Sequence, residues 1–133
     1  MSNANVALIQ SLYAAFGCGE IGTIVNAVTA QADWTITGNR AHFPTAGSWK
    51  GQSGVQDFFK SVGESMEFTA FTPKEFYACE DKVFVLGHYA AKVRKTGRSA
   101  ASEWAHVFTI KDGKVTAFRE FTDTATFAEA YRG

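Results

Sequence analysis

The chain has 133 residues, 46% of them hydrophobic and 20% charged, with 13 basic side chains against 13 acidic ones. That is enough for one domain, residues 1–133, with a sizeable core, and a zero balance without any Lys/Arg run argues against a nucleic-acid partner. No apolar run approaches a membrane span, MSNANVALIQ lacks a charged-then-apolar leader, and Cys18 and Cys79 show no ligand spacing, so a cytoplasmic protein with free thiols and no signal peptide is expected.

Val6, Ile9, Leu12, Tyr13 and Phe16 recur at helical spacing, which predicts a helix over Ala4–Phe16, capped by Asn3 or Asn5 and stopped by Gly17 and Gly19. A second helix is expected from Ile21 to about Thr29. Ala32, Trp34 and Ile36 then alternate with Asp33, Thr35 and Thr37, the pattern of a half-buried strand. Residues 38–51 carry turn formers without periodicity and read as a loop able to hold binding residues; His42 lies in it, either at a pocket mouth or simply in solvent. Ser53 and Gln56 fit a capping box for a third helix, whose buried side is Val55, Phe58, Phe59, Val62 and Met66. From Phe68 the chain is extended, interrupted at Pro73. A long strand runs from Lys82 to about Lys95 and turns at Thr96-Gly97-Arg98. Thr124–Tyr131 reads as a last short helix with Asp123 as its cap.

The segment EWAHVFTIKDGKVTAFREFTD, Glu103 to Asp123, reads as a hairpin. Trp104, His106, Phe108 and Ile110 share one face of its first strand, and Phe118, Glu120 and Thr122 one face of its second. A three-residue Lys-Asp-Gly loop sets His106 opposite Phe118, with Glu120 diagonal to it and within side-chain reach. A two-residue Asp112-Gly113 loop would instead pair His106 with Arg119 and turn Glu120 away. An imidazole and a carboxylate among Trp and Phe are costly unless paired or wet.

Helices first, then a run of antiparallel strands, is an α+β pattern: a cone-shaped curved antiparallel sheet packed on three helices from the N-terminal half. Its interior would hold Trp34, Ile36, Tyr89, Trp104, His106, Phe108, Phe118 and Glu120, with Tyr13, Phe16, Phe58 and Phe59 from the helices. The 12 Phe, 4 Tyr and 3 Trp suit such a core or an apolar pocket for a small hydrophobic molecule. His42, His88 and His106 are too scattered for a metal motif, and no cofactor or metal is expected. By alternation His88, Arg119 and Phe121 fall on the outer face.

Five strings in order resemble the SnoaL-like family of the nuclear transport factor 2-like, ketosteroid isomerase-like superfamily: LYAAFGCGEIGTIV, ADWTITG, FPTAGSWKGQSGVQDFF, FTPKEFYACEDKVFVLG and SEWAHVFTIKDGKVTAFREFTDTA. The resemblance implies a cystatin-like α+β barrel, a homodimer through the outer sheet face, and members that include cyclases, isomerases, hydrolases and proteins that only bind. Ketosteroid isomerase's catalytic carboxylate falls at Ile36, or at Thr37 with a slip of one. Tyr13 matches its oxyanion tyrosine, and His106 falls near its protonated Asp. Of the Asp-Arg-Asp set of epoxide hydrolases, one acid falls at Glu120, while the other acid and the Arg fall at Tyr89 and Gly87. Neither site is reproduced. The pairing of a late acid with histidine in the cyclases is matched by His106 with Glu120 or Asp123.

Two functions follow as expectations. One is a cofactor-independent cyclase or isomerase acting on a carbonyl compound, with His106 as proton carrier, Glu120 orienting it, and Tyr89 or Tyr13 donating to an oxyanion. The other is a non-catalytic module that holds a lipophilic ligand or a partner. In both, Tyr13, Phe16, Trp34, Ile36, His42, Phe59, Trp104, Phe108 and Phe118 are the candidate ligand-binding residues.

Overall fold

The computed structural model describes residues 2–132. Two helices, α1 (Ser2–Gly17) and α2 (Ile21–Ala27), lead into strand β1 (Val28–Ile36), a short strand β2 (Gly47–Lys50) and helix α3 (Gly51–Ser65). Four long strands follow: β3 (Met66–Cys79), β4 (Lys82–Val93), β5 (Ser99–Lys111) and β6 (Lys114–Thr122), and helix α4 (Thr124–Tyr131) closes the chain. The six strands form one sheet in the order β2-β1-β6-β5-β4-β3. All neighbours are antiparallel except β1 and β6, which run parallel. The sheet has two ends, so the expected barrel is an open curved sheet. Its bend is local: the pairing register shifts at Phe68/Ala70 and Pro73/Glu75 in β3, at Thr109/Ile110 in β5 and between Val28 and Asp33 in β1. Each unpaired residue kinks its strand and raises the local twist. Pro73 shifts β3 without ending it, because β3 is an edge strand where a missing N–H costs no ladder bond.

One sheet face is lined with buried apolar side chains. Trp34, Phe118, Phe108 and Val83 form one row across β1, β6, β5 and β4, and Ile36, Glu120, His106 and Val85 form the next. Ile9 and Leu12 of α1, Ile24 of α2, and Val55, Phe58 and Val62 of α3 cover these rows. Each such side chain removed from water stabilises the fold by about 1.5–3 kcal/mol.

Several local expectations are corrected. Asn3 and Asn5 fall inside the first turn of α1. The third helix begins at Gly51 rather than Ser53, and its N-cap Lys50 makes no side-chain capping bond. Gln52 instead donates to the Val28 carbonyl at 3.0 Å and ties α3 to β1. The loop over residues 38–51 contains β2, which pairs Trp49 with Trp34.

Asp123 does cap α4: its carboxylate accepts from the Thr126 N–H at 3.0 Å and the Thr126 hydroxyl at 2.7 Å. These bonds hold the Asp123 carboxyl below its ordinary value of 3.8, the Thr126 hydroxyl contributing most. The folded state thus prefers the carboxylate, so the stabilisation is complete above about 3.8 and fades as pH drops toward the folded value. Asp123→Ala is expected to lower Tm by a few degrees at neutral pH, measured by circular dichroism, with the difference disappearing in that acid window.

Candidate active site

The hairpin that carries the site closes differently from the expected three-residue loop. Asp112 and Gly113 both have positive φ, 53° and 76°, as a two-residue type I′ turn requires, and Lys111 pairs with Lys114. Continued without interruption, that register would turn Glu120 away from His106. A register shift between Thr109 and Ile110 leaves Thr116 as the extra residue on β6 and restores the phase. His106 then lies directly opposite Glu120, not diagonal to it, and Phe108 lies opposite Phe118.

His106 is 4% exposed and Glu120 8%, and their side chains meet at 2.8 Å, His106 Nε2 to Glu120 Oε1. The Tyr89 hydroxyl donates to Glu120 Oε2 at 3.3 Å. From α1, the Tyr13 hydroxyl lies 2.6 Å from His106 Nδ1. Trp104 stacks on the imidazole at 3.9 Å between ring centres, and Phe118 meets it edge-on at 4.8 Å. Burial among these rings outweighs the hydrogen bond and charge of Glu120, so the imidazole is held below its ordinary 6.5 and is neutral near pH 7. Burial and the Glu120 charge push the Tyr13 and Tyr89 hydroxyls well up, so both stay protonated.

These groups line a cavity of about 80 Å³ walled mainly by aromatic side chains. A cavity that binds a benzene ring measures about 150 Å³, so at about 80 Å³ this one takes a molecule of ring size only as its aromatic walls give. Tyr13, Phe16, Phe59, Phe68 and Phe71, all partly buried, are the lining residues nearest solvent. Of the sequence-derived candidates, Tyr13, Phe16, Trp34, Phe59, Tyr89, His106, Phe108, Phe118 and Glu120 line the cavity. Three do not. Ile36 is sealed into the core beside Glu120, and Trp104 backs His106 from behind. His42 is exposed and borders a separate polar cleft with Glu64, Lys95 and Tyr131. Phe43, Thr45, Phe71 and Phe127 line the cavity and were not singled out. Phe43 and Thr45 sit in an aperiodic segment, and Phe127 on a helix too short for its stripe to point anywhere.

Trp34 carries one further feature. Its indole Nε1–H is buried and, among the described residues, has no hydrogen-bond partner, a state that costs about 1–3 kcal/mol. Arg94 bonds the Gly63 carbonyl and Glu67 on the surface and takes no part in the site. Among the described residues no cluster of His, Cys, Asp and Glu has the arrangement of a metal site, and no helix is long and apolar enough to cross a membrane.

Comparison with known proteins gives the same architecture. The SnoaL-like domain family matches residues 9–118. An NTF2-like protein of Burkholderia xenovorans LB400 superposes with a TM-score of 0.88 at 28% identity, covering 98% of this chain and 97% of that one. An NTF2-like protein of unknown function from Burkholderia pseudomallei K96243 gives 0.90 at 24%, covering both chains fully at 100%. TerC, crystallised with polyporic acid, gives 0.82 at 25%, covering 98% and 99%. No curated protein matches the sequence.

Proposed function

The chain belongs to the SnoaL-like family, and on that premise we propose that it is a proton-transfer enzyme of cyclase or isomerase type acting on a small apolar carbonyl compound. The observation that carries this is the neutral His106 hydrogen-bonded to Glu120 in the wall of an aromatic cavity. A buried acid–imidazole pair adds little to stability compared with apolar side chains of the same volume, whereas a neutral imidazole is suited to accept a proton and return it near neutral pH. Glu120 fixes the tautomer, and Tyr89 holds the second carboxylate oxygen. The hydroxyls of Tyr13 and Tyr89 are engaged within the network, so the Trp34 indole N–H and the Thr45 hydroxyl are the lining donors left for the substrate's carbonyl oxygen. Enolisation of the substrate needs no group beyond these.

The test is deuterium incorporation next to the carbonyl of small ketones such as cyclopentanone, incubated with the protein in heavy water and followed by NMR. Wild type is expected to accelerate exchange. His106→Gln, whose amide can hold both neighbours, is expected to lose it by about 10²–10⁴-fold while still binding. Saturable binding with no exchange in the wild type overturns the enzyme reading in favour of a lipophilic-ligand carrier.

The protein is further proposed to be a cytoplasmic homodimer. Tyr77, Phe84, Leu86 and Phe121 are exposed on the sheet face opposite the cavity, in register as neighbours: Tyr77 faces Phe84, and Leu86 and Phe121 both flank Ala105. Contiguous apolar surface of this kind marks an interface. Leu86→Glu with Phe121→Glu is expected to cost roughly 2 kcal/mol or more of association, about 30-fold in Kd, read by sedimentation. A wild type that is monomeric at high concentration would rule the interface out. The free, exposed Cys18 and Cys79 fit a reducing compartment.

A further inference from the structure

Resting on the proton-transfer reading above, we propose that Tyr13 is the catalytic residue that meets the substrate's acidic hydrogen, and that His106 and Glu120 act through it as a relay. A count of hydrogens along the network leads there. Glu120 accepts at both oxygens, from Tyr89 at 3.3 Å and from His106 Nε2 at 2.8 Å. Nε2 therefore carries the one hydrogen of the neutral ring. Nδ1 is then a lone pair, and the contact of 2.6 Å to it must be donated by the Tyr13 hydroxyl. Both ring nitrogens of His106 are occupied inside the protein, so no bound molecule reaches them directly. Tyr13 borders the cavity, and among the described residues its hydroxyl makes no side-chain hydrogen bond besides the one to His106, which leaves its oxygen lone pairs uncommitted.

The step balances without any outside oxidant or reductant. The substrate's C–H bond breaks and its hydrogen joins the Tyr13 oxygen, while the Tyr13 O–H bond breaks and that hydrogen joins His106 Nδ1. The C–H electron pair stays on the substrate as an enolate. Tyr13 remains a phenol throughout, which suits a hydroxyl that burial and the Glu120 charge keep from ionising. His106 becomes an imidazolium between the Glu120 carboxylate and the face of Trp104, 3.9 Å away, which together offset part of the burial that disfavours its charge. Now Nδ1–H donates to the Tyr13 oxygen, and the Tyr13 hydrogen is released toward the cavity. The same hydroxyl that accepted from carbon can thus donate to an alkoxide or to a second carbon. One residue serves as base in the first half of the reaction and acid in the second.

The geometry is tested with acetylacetone, a small diketone with an acidic C–H whose enolate has its own ultraviolet absorption, added to protein carrying nitrogen-15 histidine. In wild type the bound probe is expected as enolate and His106 with both ring nitrogens protonated. In Tyr13→Phe, and in Tyr13→Gln, whose amide can donate to Nδ1 but cannot pass a proton on, His106 is expected to stay neutral, with the rate of enolate formation down by about 100-fold or more. The second variant keeps the test valid should the first be poorly folded, which the His106 signals report directly. If His106 is protonated as fully in the Tyr13 variants as in wild type, the imidazole takes the proton itself and the relay is wrong, although the proton-transfer reading stands. If His106 stays neutral in wild type at saturating probe, both fall together.

Discussion

His106→Ala is expected to lose about 3–5 kcal/mol of folding stability, the usual cost of removing one member of a buried ionic or charge-assisted pair. The Glu120 carboxylate would keep only the Tyr89 hydroxyl at 3.3 Å in a site 8% exposed, and the missing ring would leave a void between Trp104 and Phe118. The informative partner is the double variant His106→Leu with Glu120→Leu. It removes both polar groups together and is expected to recover most of the loss, because apolar side chains of similar volume replace such pairs at little cost. Denaturant titration separates the two outcomes. A double variant as unstable as the single one would mean that the pair supports the fold rather than a reaction. Acidification gives an independent check. His106 in the folded protein is held below 6.5, burial being the main cause, so the unfolded chain takes up the proton first. The contribution to stability is therefore complete above about pH 6.5 and is lost as pH falls through the folded value. The double variant should lack this part of the acid-side slope.

Gly87→Ala is the second large effect. A Cβ at this position would lie 2.3 Å from Trp104 Cζ2 and 2.6 Å from the Thr72 carbonyl oxygen. The indole of Trp104 lies over the backbone of β4 because residue 87 has no side chain. Overpacking of a core usually costs about 1–3 kcal/mol, and a clash with strand backbone on one side and a rigid indole on the other belongs at or beyond the upper end. The consequence reaches the site, since the displaced ring is the one stacked on His106 at 3.9 Å. A lower denaturation midpoint together with a changed near-ultraviolet tryptophan spectrum is expected. An unchanged spectrum would show that Trp104 does not depend on the glycine.

Much of this was legible in the residues, for identifiable reasons. The stripe of Ile9, Leu12 and Phe16 and the Asp123 cap are local patterns, and local patterns survive folding. The union of His106 with Glu120 follows from alternation, but the turn behind it is the alternative two-residue loop rather than the expected three-residue one. Asp112-Gly113 makes a two-residue loop, and the phase is corrected by an extra Thr116 that nothing in its chemistry marks as a bulge. A capping box at Ser53 and Gln56 looked sound but lost to Gly51, whose φ of 70° starts the helix two residues early against the Ala30 carbonyl. Most hidden was the partner of Tyr13. Its helical stripe announced a buried tyrosine, but only the docking of α1 under the sheet brings its hydroxyl to an imidazole 93 positions away.

The place of β6 between β1 and β5 has a bearing on how the protein is made. A nascent chain can form the hairpins of β3, β4 and β5 as each emerges, but β1 and its partner β2 have no connection to them until Lys114–Thr122 has left the ribosome. Until then both halves expose unpaired strand edges beside bulky apolar rings, the condition that invites aggregation. Closure of the sheet is a late, long-range event, and sequence separation of this kind slows folding. The final strand is thus the keystone of assembly, and cells that shorten it by a premature stop would accumulate a sticky, half-built precursor rather than a weakened protein.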